Sequence, residues 1–577
     1  MQPKVYKELS QAYERGADHI WVINIADIKP LEMPFGFTMD LAWNASSITF
    51  DTIPAYLTVF ATREFDIDSS SSTLAGEISE ILMEQSRLIG RRKYESVQAT
   101  TYSVLHYREN ERVVSEWRDL ADRVLSVLDK LPQGRRDAYW HHVQYPILSG
   151  AAYYAAMLGL GQNQQYGLER RNSANSLAEQ VHASFEADYD LTEHYNTEIA
   201  GGKWAGILSQ PHYDFYAAQG SGNDWAESTK DVLTGLWYVQ LRQNATYEFG
   251  NLGIFAEGNP NSAQDQGRSL PSAWNSEPTT GQFAAVLPIL DPYAKGGTWT
   301  IDLFHRGDYR VPIHWDIDIP DDVAGWLSFA PSKGVLSREV LEQRVNISID
   351  WSATPKDFNK TVDVRINYDT SPYFDLVHLP IVNTRVPEGF EGFPETGGIV
   401  SIEAPHFQRK SEAGKEGVGF QHIPHLGTRT NSGSVALRPY KAARAARDAA
   451  RDAWVEYDIY LFSPATSVTA TVYINGALDT DPTLPMMYSL KLAPATANFT
   501  RLLGDPATPG DTPPNWRTTV ADHVWARNVP LGNLAAGSHT LRWQTNSPEV
   551  YLEKIVLNTR NALKSSYLGP PETTLLG

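Results

Sequence analysis

HIWVINIADIKPLEMP, residues 19–34, is the stretch on which the fold turns. Ile20, Val22, Ile23 and Ile25 make its first seven residues a nearly unbroken apolar run of mostly β-branched side chains. Such residues suit a pleated strand, and a run without polar alternation is expected where both faces are buried, as in a parallel sheet under helices. The pattern predicts a buried parallel strand over residues 19–25. Before it, Val5, Leu9 and Tyr13 share one face of a helix predicted over residues 4–15, with Gly16 as its C-cap. After it, a loop gathers Asn24, Asp27, Lys29 and Glu32 at the strand's C-terminal end, the end that carries chemistry in α/β folds. Lys29 suits an anionic group on a substrate, and Asp27 suits Lys29 or a hydroxyl. A structural salt-bridge cluster of Asp27, Lys29 and Glu32 is the plainer alternative.

A parallel strand of this kind needs a neighbour on each side, and no second helix–strand–loop unit is legible downstream. A complete (β/α)8 barrel takes eight such units over about 250 residues. Residues 1–50 are therefore expected to be the last βα unit of a barrel whose other units lie upstream of Met1.

Residues 51–245 repeat apolar side chains at helical spacing and predict an α-helical bundle. The clearest stripe is Val113, Trp117, Leu120, Val124 and Leu128; another is Leu177, Val181, Phe185 and Tyr189. Residues 137–160 predict one long helix kinked at Pro146, and residues 232–241 predict a last short helix. Residues 246–281, rich in Asn, Ser, Pro and Gly, read as a linker. Beyond it the period becomes two: Val345 and Ile347, then Val362, Val364, Ile366 and Tyr368, alternate with polar residues. Residues 282–390 are read as an immunoglobulin-like β-sandwich. Residues 391–577 form a second, jelly-roll-like β domain, with strands over 454–462, 468–474, 539–545 and 550–558 and a hairpin signal at Asn475-Gly476. The tract AARAARDAARDA, residues 442–453, reads as a surface insertion. The fold class expected is multidomain: the end of a barrel, a helical bundle, then two β domains.

Composition narrows the function. The 577 residues suggest roughly 3 to 4 domains. A chain that is 42% hydrophobic with 16 Trp, 28 Tyr and 20 Phe buries enough surface to fold throughout. Net charge −19 disfavours nucleic acid and anionic membrane as partners. With 0 Cys, disulfides, thiolate metal sites and Cys nucleophiles are excluded. No apolar run reaches the roughly 18 residues a membrane span needs. The opening residues lack the apolar core of a secretory signal.

A second candidate site is GGKW, residues 201–204, followed by Gln210, Pro211, His212 and Tyr213, where Trp204 and Tyr213 are aromatic platforms for a sugar face. Packing at a helix end is the alternative. His141 and His142 are adjacent on a predicted helix, about 100° apart, which argues against a shared metal. His422 and His425 read as packing residues, and Gly220-Ser221-Gly222 as a loop. No cofactor and no metal are expected, Glu403 being a weak calcium candidate. Sequons stand at Asn44, Asn244, Asn346, Asn359 and Asn498.

Six segments, in order, resemble glycoside hydrolase family 115, the xylan α-1,2-glucuronidases: residues 20–44 (IWVINIADIKPLEMPFGFTMDLAWN), 101–114 (TYSVLHYRENERVV), 170–181 (RRNSANSLAEQV), 200–215 (AGGKWAGILSQPHYDF), 398–409 (GIVSIEAPHFQR) and 565–573 (SSYLGPPET). The resemblance implies an inverting hydrolase that removes α-1,2-linked (4-O-methyl)glucuronic acid from xylan, with most catalytic carboxylates on earlier barrel strands. It carries Asn24, Asp27, Lys29 and Glu32 to the active-site face. It carries Trp204 and His212 to substrate binding and Lys203 and Gln210 to its support. No complete catalytic pair is expected here, so activity is expected to be impaired; a non-catalytic polysaccharide-binding or scaffold protein is the alternative. Ala26 stands where the family commonly has Gly, and Pro211 where many members have Thr. SIEAPHF (401–407) and GSHTLRW (537–543) resemble the ends of a carbohydrate-binding jelly roll. The implied partner is glucuronoxylan or its oligosaccharides, in an extracellular setting for full-length relatives, and a homodimer is compatible with the sequence.

Overall fold

The computed structural model describes residues 2–25, 28–68, 72–213, 231–240, 251–257, 285–294, 299–308, 310–370, 374–413, 417–479, 484–505 and 511–577. A helical region comes first, then two β units of two sheets each.

The helices are α1 (Gln2–Glu14), α2 (Glu32–Trp43), α3 (Ile53–Phe65), α4 (Ser72–Arg91), α5 (Glu109–Leu128), α6 (Arg136–Tyr139), α7 (Tyr145–Leu168) and α8 (Ser173–Thr197). Val113, Trp117, Leu120 and Val124 recur every three or four residues along α5 and all sit in the core with Phe37, Leu57, Ile78 and Leu82. Gly16, at φ 97°, follows α1 in the left-handed conformation that ends a helix.

Several expectations need correcting. Residues 19–25 carry no regular secondary structure, none of the described strands pairs with them, and Ile20 and Val22 are 82% and 90% exposed. An apolar run signals that a strand wants cover without saying where the cover is. The helix expected over 137–160 is α6, a π-helical turn (Trp140–Gln144) and α7, which continues to Leu168. Pro146 lacks an N–H, and its ring crowds the carbonyl four residues earlier, that of His142. The wide turn just before it accommodates this. Residues 231–240 carry no helix. They lie against α7 and α8, where Asn163 and Asn175 each pair with both backbone groups of one residue. Asn163 accepts from Trp237 N at 2.7 Å and donates to its carbonyl at 3.0 Å; Asn175 does the same at Val239, at 2.6 and 3.0 Å. Two amides thus pair with the backbone as a neighbouring strand would, and these polar groups are satisfied without a helix. Finally, the linker expected over 246–281 contains a strand, Leu252–Ala256; the rest of that span from residue 258 lies outside the described residues.

That strand opens the first β unit. One sheet has the order Leu252–Ala256, Trp299–His305, Glu342–Ile349, Leu327–Ala330. The other has Ala285–Val286, Phe374–Val382, Asn359–Tyr368, Ile313–Asp318, Lys333–Leu336. Val362, Val364, Ile366 and Tyr368 face the shared core, as their alternation requires. The second unit packs two six-stranded sheets over one core that includes Trp543 stacked on Tyr488. The tract 442–453 belongs to that core. Its short helices Tyr440–Ala445 and Arg447–Ala450 bury Ala442, Ala443 and Ala450, with Ala453 beside them, so it is no surface insertion. Asn475-Gly476 is no hairpin either: Asn475 ends a strand that pairs with Val524–Leu534.

Charged clamps join these parts. Arg344 donates to Asp302 at 2.7 Å within its own sheet and to Glu111 on α5 at 2.9 Å. Glu109, fully buried at the start of α5, accepts N–H groups from Ser103 at 2.7 Å, Tyr567 at 2.9 Å and Leu568. Among the described residues no helix is long and apolar enough to cross a membrane.

Inside α7, Gly161 allows a close crossing: a Cβ there would lie 2.0 Å from the Ala99 carbonyl oxygen. Gly161→Ala is expected to cost about 1–3 kcal/mol or more, because the obstacle is backbone. Gly36→Ala in α2 meets nothing within 4 Å. It is expected to be neutral or to stabilise by up to about 1 kcal/mol. Urea unfolding followed by circular dichroism checks the pair, and a Gly161→Ala chain as stable as the wild type would contradict the close approach.

Candidate functional site

Glu32 is the first residue of α2, where the helix N-terminus favours an anion. Lys29, three residues earlier, makes an ion pair with Glu32 Oε1. From the other side His141 Nε2 lies 2.8 Å from Glu32 Oε2 and 2.9 Å from Oε1. The other ring nitrogen of His141, Nδ1, lies 2.5 Å from the Tyr195 hydroxyl of α8. His142 Nδ1 is 4.0 Å from Glu32 Oε2. Burial alone would raise the Glu32 pKa, but the hydrogen bonds from His141 and Lys29 outweigh it and hold the carboxyl at about 2. Burial pushes His142 down to about 4, so its ring is neutral near pH 7.

The second sequence motif folds onto the first. Lys29 Nζ stands 4.0 Å from the centroid of the Trp204 ring, and Lys203 Nζ 4.7 Å from it. Trp204, with Ile207 and Leu208, packs against the cluster of Trp140, Tyr145 and Tyr195. Lys29, Glu32, His141, His142, Tyr195, Lys203 and Trp204 thus form one half-buried group where the start of α2 meets the π-helical turn and α8. His141 and His142 are the members that adjacency in sequence hid. On a π-helical turn their ring centroids are 4.5 Å apart, and one ligand atom from each of Glu32, His141 and His142 lies within 4.8 Å of the others.

Other expected residues sit elsewhere. Asn24 is exposed within residues 19–25, and Asp27 lies outside the described residues. Gln210 is exposed. Tyr213 is buried between Tyr153 and Phe185, so it offers no face to a sugar. His212 Nδ1 pairs with the buried Asp188 at 2.7 Å, and its backbone N–H donates to Asp231 at 2.5 Å. Asp188 and Tyr195 are seven residues apart on α8, so the His212 pair sits about 10 Å along the same helix from the main group. Burial opposes the charged form of His212, but its hydrogen bond to Asp188 and the charges of Asp188 and Asp231 raise its pKa overall.

Glu403 stands with His406 and Glu572 in the C-terminal unit. Its oxygens accept backbone N–H groups from Ser432 at 3.0 Å and Asn431 at 3.3 Å, while His406 takes Glu572 at 2.6 Å. Calcium needs six to eight oxygen ligands. Carboxylates already engaged by N–H donors do not make that set.

The profile described as Glycosyl hydrolase family 115 matches residues 1–96, and the one described as Glycosyl hydrolase family 115 C-terminal domain matches residues 392–572. A solved GH115 4-O-methyl-α-glucuronidase with specificity for decorated arabinogalactans aligns with a TM-score of 0.50 at 14% identity, covering 96% of this chain. The chain spans 48% of that structure's length. The mannanase of Podospora anserina with its carbohydrate-binding module overlaps 28% of this chain and 27% of its own, at 15% identity and a TM-score of 0.18. A carbohydrate-binding module of a Cellvibrio mixtus lichenase, in complex with cellotriose, overlaps 28% of this chain and 95% of its own, at 17% identity and a TM-score of 0.18. No curated protein matches the sequence.

The His212–Asp188 pair makes stability depend on pH with a definite sign. A His whose folded pKa is raised binds more protons folded than unfolded, so its contribution is complete below the unfolded value of about 6.5 and fades as pH rises through the folded one. Wild-type stability is expected to fall as pH climbs above 6.5. His212→Gln should lose that part of the slope, as read from urea midpoints between pH 6 and 9. Parallel curves for the two proteins would refute the assignment.

Proposed function

We infer that this chain belongs to glycoside hydrolase family 115, whose profiles match residues 1–96 and 392–572. From that premise we propose that the Lys29–Glu32–His141–Trp204 group is part of a site for an acidic sugar. The proposed sugar is the (4-O-methyl)glucuronic acid carried α-1,2 on xylan, and the proposed setting is an inverting glycosidase. The observation that carries this reading is the pair of ammonium groups, Lys29 and Lys203, over the ring of Trp204. A uronate offers a carboxylate for the cations and a ring face for the indole, whereas a neutral sugar offers only the second.

In the same reading, residues 1–50 are the last βα unit of a (β/α)8 barrel, and the C-terminal unit is a carbohydrate-binding jelly roll. The barrel reading is supported by the strong exposure of Ile20, Val22 and Trp43 of this unit. Large apolar side chains left exposed at a surface mark a face built to be covered.

Inversion needs a proton donor on one side of the bond and a base on the other, about 6.5–9.5 Å apart. A carboxyl group with a pKa of about 2 is a poor donor at neutral pH. Glu32 therefore orients Lys29 and His141, and the acid is another group. The same observation favours a second reading, a non-catalytic polysaccharide binder.

Affinity gel electrophoresis checks the substrate class. The chain is expected to be retarded in gels containing glucuronoxylan and not in gels containing unsubstituted xylan. Lys203→Met and Trp204→Ala should each reduce the retardation. Equal mobility in both gels would defeat the acidic-sugar reading. Incubation with glucuronoxylan is expected to release uronic acid slowly, and retardation with no release at all would favour the second reading.

A further inference from the structure

We propose that Glu32, His141 and His142 form a binding site for one divalent transition-metal ion, with Zn2+ as the type ion. The proposal goes beyond the carbohydrate reading and does not rest on it.

Two imidazoles and a carboxylate are the donor set that zinc and its neighbours in the transition series favour over calcium or magnesium. At ordinary zinc–nitrogen and zinc–oxygen distances, ligand atoms in a tetrahedral site lie about 3.3 Å apart. Here His141 Nε2 is 2.8 Å and His142 Nδ1 4.0 Å from the same carboxylate oxygen, Oε2 of Glu32. The two distances straddle the ideal, so shifts of roughly half an ångström would seat the ion. Lys29 takes the other oxygen, Oε1, which leaves Oε2 turned to both rings.

Two further observations point to a ligand. His142 Nδ1 is buried without a hydrogen-bond partner among the described residues, an orphan of the kind folded chains rarely keep. Meanwhile His141 is already held as a ligand should be. Its Nδ1 faces the Tyr195 hydroxyl, which can accept the Nδ1–H and leave the Nε2 lone pair toward the ion. On the π-helical turn the consecutive rings of His141 and His142 stand 4.5 Å apart and share the Glu32 carboxylate as a neighbour. With three protein ligands, a fourth position is left for water. The ion would tie the start of α2 to the turn before α7, replacing the hydrogen bond between His141 and Glu32 with two metal–ligand bonds.

The full chain, stripped with a chelator, would be titrated with Zn2+ by calorimetry and with Co2+ by visible absorption, without carbohydrate. One ion per chain is expected, with cobalt bands characteristic of a tetrahedral nitrogen and oxygen site. Glu32→Gln and His142→Asn should each weaken binding by at least about tenfold, and Tyr195→Phe by about 10- to 100-fold as the loss of a supporting partner. Lys29→Met should tighten binding, because it removes the cation that competes for Glu32. Circular dichroism would confirm that each variant folds. If the wild type binds no more tightly than the His141→Asn/His142→Asn double variant, or only at scattered sites with no tetrahedral cobalt spectrum, the proposal is overturned. Failure of xylan binding would leave these readouts untouched.

Discussion

A carboxylate taken out of water must be given donors, and this one requirement fixes how distant parts of the chain meet. Glu109 is fully buried and takes its donors from the loop before α5 and from Tyr567 and Leu568, more than 450 positions away. Glu553, equally buried, takes the N–H groups of Thr428 at 2.7 Å and Arg429 at 2.9 Å, and the amide of Asn475 at 2.8 Å. Glu32 takes Lys29 from its own loop and His141 from the turn before α7. In each case removing one side would strand a charge, a far larger loss than the net worth of the pair. The helical region and the C-terminal unit are therefore held in register by polar demands of this kind.

The same requirement shapes the chemistry available at Glu32. Its partners keep it ionised far below neutral pH, which suits it to holding a cation and unsuits it to giving up a proton. A group so held is an organiser: it positions Lys29 against Trp204 and fixes the ring of His141 between itself and Tyr195. The chain of contacts runs from α2 through the π-helical turn to α8, so a change at any of the three shifts the other two.

Much of this was legible in the residues, where local pattern and final environment agree. Val113 to Val124 and Val362 to Tyr368 are buried at the periods their sequence shows. Lys29, Glu32, Lys203 and Trp204, in two segments 170 positions apart, come together as one group. What was not legible depended on partners distant in sequence or on backbone that departs from the regular menu. The alanines of 442–453 read as surface because alanine is at home there, yet small side chains also let short helices lie close on a sheet core. Residues 231–240 show helical spacing, but Asn163 and Asn175 take the backbone groups of Trp237 and Val239 that a helix would use. His141 and His142 were set aside on α-helical geometry, and Pro146 is the signal that weakens that assumption: a proline four residues after His142 removes the bond that regular winding would need.

Trp204 illustrates how selectivity arises in the proposed acidic-sugar site. A ring face engaged by an ammonium is not free to stack on a sugar, so at rest the two lysines compete with any ligand for the indole. A neutral sugar would have to displace a cation and offer it nothing in return. A uronate offers its carboxylate to the displaced ammonium, a charge-assisted hydrogen bond that offsets the lost contact while the sugar ring takes the indole. The lysines therefore act as a filter as well as an attraction: they penalise the ligand lacking an acid by occupying the surface it needs, which is how a discriminating site rejects as well as binds. Lys203, the more exposed of the two, is free to make that exchange, whereas Lys29 stays tied to Glu32.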